Sequence, residues 1–285
     1  MKLIPVVTGR KFMTQTIGRN SLHTIPNKRL SVQVSLTGLS FLLTNSSKSE
    51  VIHFSSMVYQ KERTPEELLL DIDTFIKEHV KDASEFESVR VIYSNSEFTA
   101  VPTPLFDEAK ASDYLKFNAK ILANDFIAWD DVPARNMHIV YVPYVNINNF
   151  LFDIFGSFQF YHSASVMLEM IPMESRFTEE TSVYINVERS NFQIVVQSSS
   201  QLKLCNSYHF ITPEDFIYYI LFCFEQLDIN PDSAKVVMMG QIKEEDALYE
   251  IAYTYIRNIE FLPESILQHQ LEGTLVHEHP LLKFI

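Results

Sequence analysis

The chain has 285 residues, of which 46% are hydrophobic and 21% charged, and its net charge is −13. This composition excludes a disordered chain and provides enough length for one large core or two ordinary ones. It also argues against a membrane-spanning helix, which needs a run of ~18 apolar residues; the most apolar stretch, Phe216–Phe224, is bounded by Asp215 and Glu225.

The charge is unevenly placed. Residues 1–29 contain Lys2, Arg10, Lys11, Arg19, Lys28 and Arg29 and no acid, while the remainder holds 17 basic residues against 36 acids, a net of −19. So acidic a body repels phosphates, and no nucleic-acid partner is expected. The basic leader is expected to pair with the protein's own acidic surface, the alternative being an anchor for an acidic partner or anionic lipid. The opening MKLIPVVTGR has no secretory pattern. Two cysteines, Cys205 and Cys223, suit a reducing compartment rather than a disulfide framework or zinc site. Both features point to the cytoplasm.

From Leu30 the pattern is strand grammar. Alternation through Val32, Val34 and Leu36, a turn at Thr37-Gly38 and a strand through Phe41 and Leu43 come first. A polar turn, Asn45 to Glu50, then leads to a third strand at Val51–Phe54. The segment TPEELLLDIDTFIKEHV from Thr64 reads as a capped helix. Thr satisfies the first N–H groups, Pro occupies the first helical position, and Glu67 can close a capping box. A strand at Val89–Tyr93 follows, then an acid-rich helix over 104–122 and a final strand at Met137–Val142.

The same grammar returns in the second half of the chain. Strands at Val183–Val187 and Phe192–Val196 and a third from Leu202 precede TPEDFIYYILFCFEQL from Thr212. A strand at Lys235–Met239, a helix over 244–256 and a strand at Ile259–Leu262 complete it. The first capped helix has one apolar stripe, Leu68/Leu69, Ile72, Phe75/Ile76 and Val80; the second is apolar all round. That second helix is expected to be buried on both sides, covered by the two halves or by a second subunit in a homodimer. Each half reads as a mixed five-stranded sheet flanked by helices. The expected divisions are a leader, 1–29, and two units, 30–145 and 146–285.

A three-strand meander followed by helix, strand, helix and strand, occurring twice, resembles the duplicated ribonuclease-H-like unit of the actin, sugar-kinase and Hsp70 superfamily. LSVQVSLTGLSF (30–41), AVPTPLFDEAKASDYLKFN (100–118), NSYHFITPEDFIYYI (206–220) and HEHPLLKFI (277–285) carry a closer likeness. They resemble an uncharacterised bacterial family, chiefly from the Bacteroidetes, with an actin-like ATPase fold. The resemblance implies an α/β protein of duplicated ribonuclease-H-like units.

In active superfamily members the first hairpin of each half carries an Asp followed two residues later by Gly, for metal and phosphate. The matching places here are Ser35 and Thr37, with Gly38 one position late, and Asn186 and Glu188. Of the paired glycines on the adenosine side, Gly240 is kept and Met239 replaces the other. Ser35, Thr37, Gly38, Asn186, Glu188 and Gly240 are therefore the candidate nucleotide-site residues, in a site that lacks its acids. The expectation is a catalytically degenerate scaffold or binding module with a protein partner and no cofactor. The alternative is an active ATPase or kinase-like protein that holds ATP and magnesium by other contacts.

Other motifs carry less. His277 and His279 resemble a metal pair, but they are two apart, so on a helix they diverge, no third ligand is near in sequence, and a docking tail is expected. Asn124–Asp131, with Trp129, reads as a solvated acidic loop whose tryptophan plugs a domain edge, the alternative being a cation or partner site. His162, Ser163 and Ser165 have no meaningful triad spacing, and the cysteines read as packing residues.

Overall fold

The computed structural model describes residues 27–45, 50–117, 121, 125–173, 180–199 and 201–285. The expectations for the basic leader therefore fall on residues that are almost all outside the described ones.

The first unit opens with β1 (Lys28–Ser35), β2 (Gly38–Asn45) and β3 (Glu50–Val58), an antiparallel meander. Helix α1 (Pro65–His79) then crosses to β4 (Phe86–Tyr93), which pairs parallel with β1. At the start of α1, Thr64 accepts from the Glu67 N–H and the Glu67 carboxylate accepts from the Thr64 N–H, the expected capping box. Leu68, Ile72, Phe75 and Ile76 form its buried stripe, and the Phe75 ring stacks on Phe41 of β2 at 3.7 Å. Each such ring or aliphatic chain removed from water contributes about 2 kcal/mol.

The chain then departs from the expected pattern. The span 104–122 is not one long helix: short 3-10 turns precede a five-residue helix, α2 (Ala111–Leu115). The expected final strand does form, as β7 (Met137–Tyr141), but in a different sheet. It is the centre of a three-stranded antiparallel insertion with β5 (Phe98–Pro102) and β6 (Ala128–Val132). Trp129 lies on β6 rather than in a loop, buried with Val101, Ala111, Leu115 and Val140 in a small core of the insertion. Asn124 lies outside the described residues.

The helix and strand that complete the first sheet are α3 (Val145–Phe155) and β8 (Gln159–His162), the latter parallel to β4. The insertion separates them from β4 by enough sequence to hide the repeat. The first compact unit accordingly runs to Val166, beyond the expected boundary at 145/146, and the division falls within α4 (Ser163–Met170).

The second unit, Met167–Phe284, has the simpler form of the same plan. It comprises β9 (Thr181–Val187), β10 (Asn191–Ser198), β11 (Gln201–His209), α5 (Pro213–Gln226), β12 (Lys235–Gly240), α6 (Ala247–Tyr255) and β13 (Asn258–Phe261). The sheet orders β3-β2-β1-β4-β8 and β11-β10-β9-β12-β13 are the same topology twice. Thr212 and Asp215 form a complete capping box for α5, so the shorter Asp side chain suffices. A terminal helix, α7 (Pro280–Phe284), closes the chain.

Helix α5 is not buried on both sides. Phe216, Ile217, Ile220, Cys223 and Phe224 enter the core, whereas Tyr218 and Phe222 face solvent. The apolar composition of its outward stripe is therefore not explained by the core of its own unit.

Candidate functional site

The first candidate hairpin is a two-residue turn, Leu36-Thr37, closed by the Ser35–Gly38 pair. Its polar groups are satisfied within the fold. The Ser35 hydroxyl accepts from the Thr37 N–H at 3.3 Å and lies 3.3 Å from both the Gly38 carbonyl and the Thr37 hydroxyl. The carbonyls of Leu36 and Thr37 accept from the N–H groups of Arg63, at 2.7 Å, and Tyr59, at 2.9 Å. Gly38 has an ordinary backbone angle but fits closely, because an added Cβ would lie 3.2 Å from the Met57 carbonyl.

The second hairpin has the same build, and the sheet register fixes which residues correspond. Leu39 faces Val34 and Phe192 faces Val187; Val34 faces Tyr93 and Val187 faces Gly240. The Tyr59 N–H bond to the Thr37 carbonyl recurs as Phe210 N–H to Ser190, also at 2.9 Å. Ser35 thus corresponds to Glu188, Thr37 to Ser190 and Gly38 to Asn191, while Asn186 corresponds to Gln33. The sequence matching of Ser35/Thr37 with Asn186/Glu188 is therefore out by two residues between the halves. At the place of Ser35 the second unit does hold an acid, Glu188, followed two positions later by Ser190 rather than glycine.

Asn186, Glu188 and Gly240 are brought together at the carboxyl ends of the parallel strands β9 and β12, the end at which open α/β sheets bind ligands. Asn186 and Glu188 are both buried. Gly240 has φ +89°, a conformation that favours glycine, and an added Cβ would lie 2.2 Å from the Val187 carbonyl and 2.8 Å from Asn186 Oδ1. Its place in the first unit is taken by Tyr93, fully buried and donating to Asn148 Oδ1 at 2.7 Å.

The turn after β12 is covered by the chain's own tail. The Gly240 N–H donates to the His277 carbonyl at 2.7 Å, and the Gln241 N–H to the Val187 carbonyl at 2.7 Å. His277 Nε2 lies 2.7 Å from the Ile242 carbonyl, and its ring stacks on Phe261 at 4.0 Å. Burial lowers the His277 pKa, so the ring is neutral and Nε2 is the donor. Burial holds His279 down to about 4. The buried Lys283 ammonium donates to the carbonyls of Leu275, at 2.7 Å, and Val276, at 3.2 Å. The motif that resembled a metal pair is thus part of a docked tail, with Leu281 and Leu282 in the core.

A polar cluster in the first unit has no local sequence signature. Asp130 of β6 accepts from the Tyr141 hydroxyl at 3.1 Å, the His162 N–H at 2.7 Å and the Ser165 hydroxyl at 2.5 Å. His162 Nδ1 accepts from the Ala164 N–H at 3.1 Å, which leaves Nε2 to donate to the Asn95 carbonyl at 3.1 Å. Both ring nitrogens are engaged by backbone, so the ring is not placed to take a proton from Ser165. Asp, His and Ser are neighbours without the geometry of a nucleophile relay. They tie the insertion to the end of the first sheet. Burial also pushes the Cys205 thiol up to about 12 and raises Cys223, so neither is a ready thiolate.

Two units of the same mixed-sheet topology, each with a two-residue hairpin between its first strands, define an actin-like ATPase fold. A protein of unknown function with that fold from Bacteroides thetaiotaomicron VPI-5482 is similar at a TM-score of 0.70 and 21% identity, covering 86% of this chain and 94% of its own. A chain of a PilM–PilN type IV pilus biogenesis complex is similar at a TM-score of 0.54 and 9% identity, covering 90% of this chain and 96% of its own. Over residues 17–259 the sequence matches the model of a family described as "Protein of unknown function (DUF3822)", and the chain belongs to that family. No curated protein matches it.

Proposed function

We propose that the chain is a catalytically degenerate actin-like protein that works as a scaffold or binding module and does not hydrolyse ATP. The observation that carries the reading is the occupancy of the two hairpins and the glycine turn by the protein's own groups. Ser35 stands where an acid would hold metal, its hydroxyl spent on the turn it begins. In the second unit a buried Glu188 follows Asn186, and the tail carbonyl of His277 takes the Gly240 N–H. Backbone N–H groups already bonded within the fold are poor material for a phosphate cradle. The likeness to a chain from a PilM–PilN complex supports a role in protein assembly.

A protein partner and no cofactor accord with this reading, and the acidic body accords with the absence of a nucleic-acid partner. Among the described residues no helix is long and apolar enough to cross a membrane. The two free cysteines are compatible with the cytoplasm.

The test is phosphate release from ATP with magnesium, measured for the wild type and for Glu188→Ala. The reading expects neither to exceed a protein-free blank. Metal-dependent hydrolysis that disappears in Glu188→Ala would establish the alternative, an ATPase in which the second hairpin carries the acid.

A further inference from the structure

We propose that the outward face of α5 and α6 is a docking surface for a basic, amphipathic segment of a partner protein. Both helices pack on the same core of the second unit and against each other, so their outward sides lie next to one another. On α5 the residues Tyr218 and Phe222 are 61% and 41% exposed, one turn apart, with ring centroids 6.3 Å apart and planes within 22°. Ile211 lies exposed just before the helix, seven residues from Tyr218 and so on the same side of it. Tyr218 and Phe222 are adjacent large apolar groups in water, of a kind that marks interaction sites.

The first unit supplies an internal control. The capping boxes align Thr64 with Thr212, so Leu68, Ile72, Phe75 and Ile76 of α1 correspond to Phe216, Ile220, Cys223 and Phe224 of α5. On the outward side, Leu70, Thr74 and Lys77 correspond to Tyr218, Phe222 and Glu225. The fold therefore does not require aromatics on this face, since α1 occupies the same place with a largely polar stripe and a Lys77–Asp73 ion pair.

Charge identifies the occupant. Residues 204–234 contain no lysine or arginine, and α6 contains none. Glu214 and Glu225 flank the α5 aromatics, Glu250 lies on α6, and Glu244 and Glu245 precede it, all exposed. Of the cations at the edges, Lys235 pairs with Glu260 and Lys243 with Glu278, and Arg257 follows α6. Aromatics framed by acids fit a segment that sets apolar side chains in the middle and lysines or arginines around them. A second copy fits poorly, because a symmetric antiparallel pairing of α5 brings Glu214 of one copy against Glu225 of the other.

The proposal rests on the reading of the chain as a binding module but not on the state of the hairpins. Its test uses the full chain and a fluorescein-labelled amphipathic peptide of leucines and lysines at helical spacing, with a leucine–glutamate peptide as control. Anisotropy should show salt-sensitive binding of the lysine peptide only. The double variant Tyr218→Ala/Phe222→Ala should bind about tenfold or more weakly, with its thermal midpoint unchanged. Glu214→Lys/Glu225→Lys should weaken binding and reduce its salt dependence. Equal binding by wild type and the aromatic double variant would overturn the proposal, since the acidic surface at large would then hold the peptide. Two other results would overturn it by assigning the face differently. One is a dimer in sedimentation that the aromatic variant dissolves, which makes the occupant a second copy. The other is aromatic-dependent binding that appears only when residues 1–26 are removed, which makes it the chain's own basic leader. Failure of any arm leaves the ATP hydrolysis result untouched.

Discussion

Gly240 and His162 are two positions that the surrounding fold constrains closely. At Gly240 the positive φ and the Val187 carbonyl 2.2 Å from any added Cβ act together. Gly240→Ala should cost at least about 2 kcal/mol, read from the urea midpoint at constant slope. His162 is a buried neutral base whose pKa is lowered to about 3, by burial first and against the bond to Asn95. The sign follows from protonating a group that the fold keeps neutral. Below ~6.5 the unfolded chain takes up a proton that the folded chain refuses until about pH 3, so stability is lost as pH falls through that window. The full effect is on the order of 5 kcal/mol, and His279 and His277 add to it in the same direction. NMR of the His162 ring at pH 5 should still show the neutral Nε2–H tautomer. A His162 that titrates near 6.5 would contradict its placement.

Individual elements owe their positions to a few identifiable bonds. The Thr-Pro-acid openings of α1 and α5 are local chemistry, and for that reason both helix starts were legible in the sequence. Thr64→Ala and Thr212→Ala should each cost about 1 kcal/mol by chemical denaturation, because each leaves an N–H without its cap. The insertion was legible only in part. Its strand at Met137–Tyr141 was expected as a strand but assigned to the wrong sheet, because period and composition do not say which neighbour a strand takes. The bonds that settle the matter are long-range, with Asp130 meeting His162 and Ser165 across 32 and 35 residues. Asp130→Ala should destabilise the first unit by roughly 3 kcal/mol through the donors it abandons, and amide exchange should report that loss in β6, β8 and α4.

At the scale of the molecule, one architectural unit is used twice, and its two copies differ where function would lie. The repeat was readable because its caps and meanders recur. The correspondence of the hairpins was not, since the offset of two residues between Ser35/Thr37 and Asn186/Glu188 shows only in the register of β1 against β4 and β9 against β12. Nor could the apolar sequence of α5 reveal that Tyr218 and Phe222 face water, because composition does not distinguish a helix covered within its own fold from one left for a partner. The central claim is that the fold persists while its ATP site does not. Thermal unfolding with and without millimolar ATP and magnesium tests this most directly. A degenerate site leaves the midpoint unchanged; a stabilisation of ~2.7 kcal/mol, expected of a ligand at 100 times its dissociation constant, would show that the nucleotide site is intact.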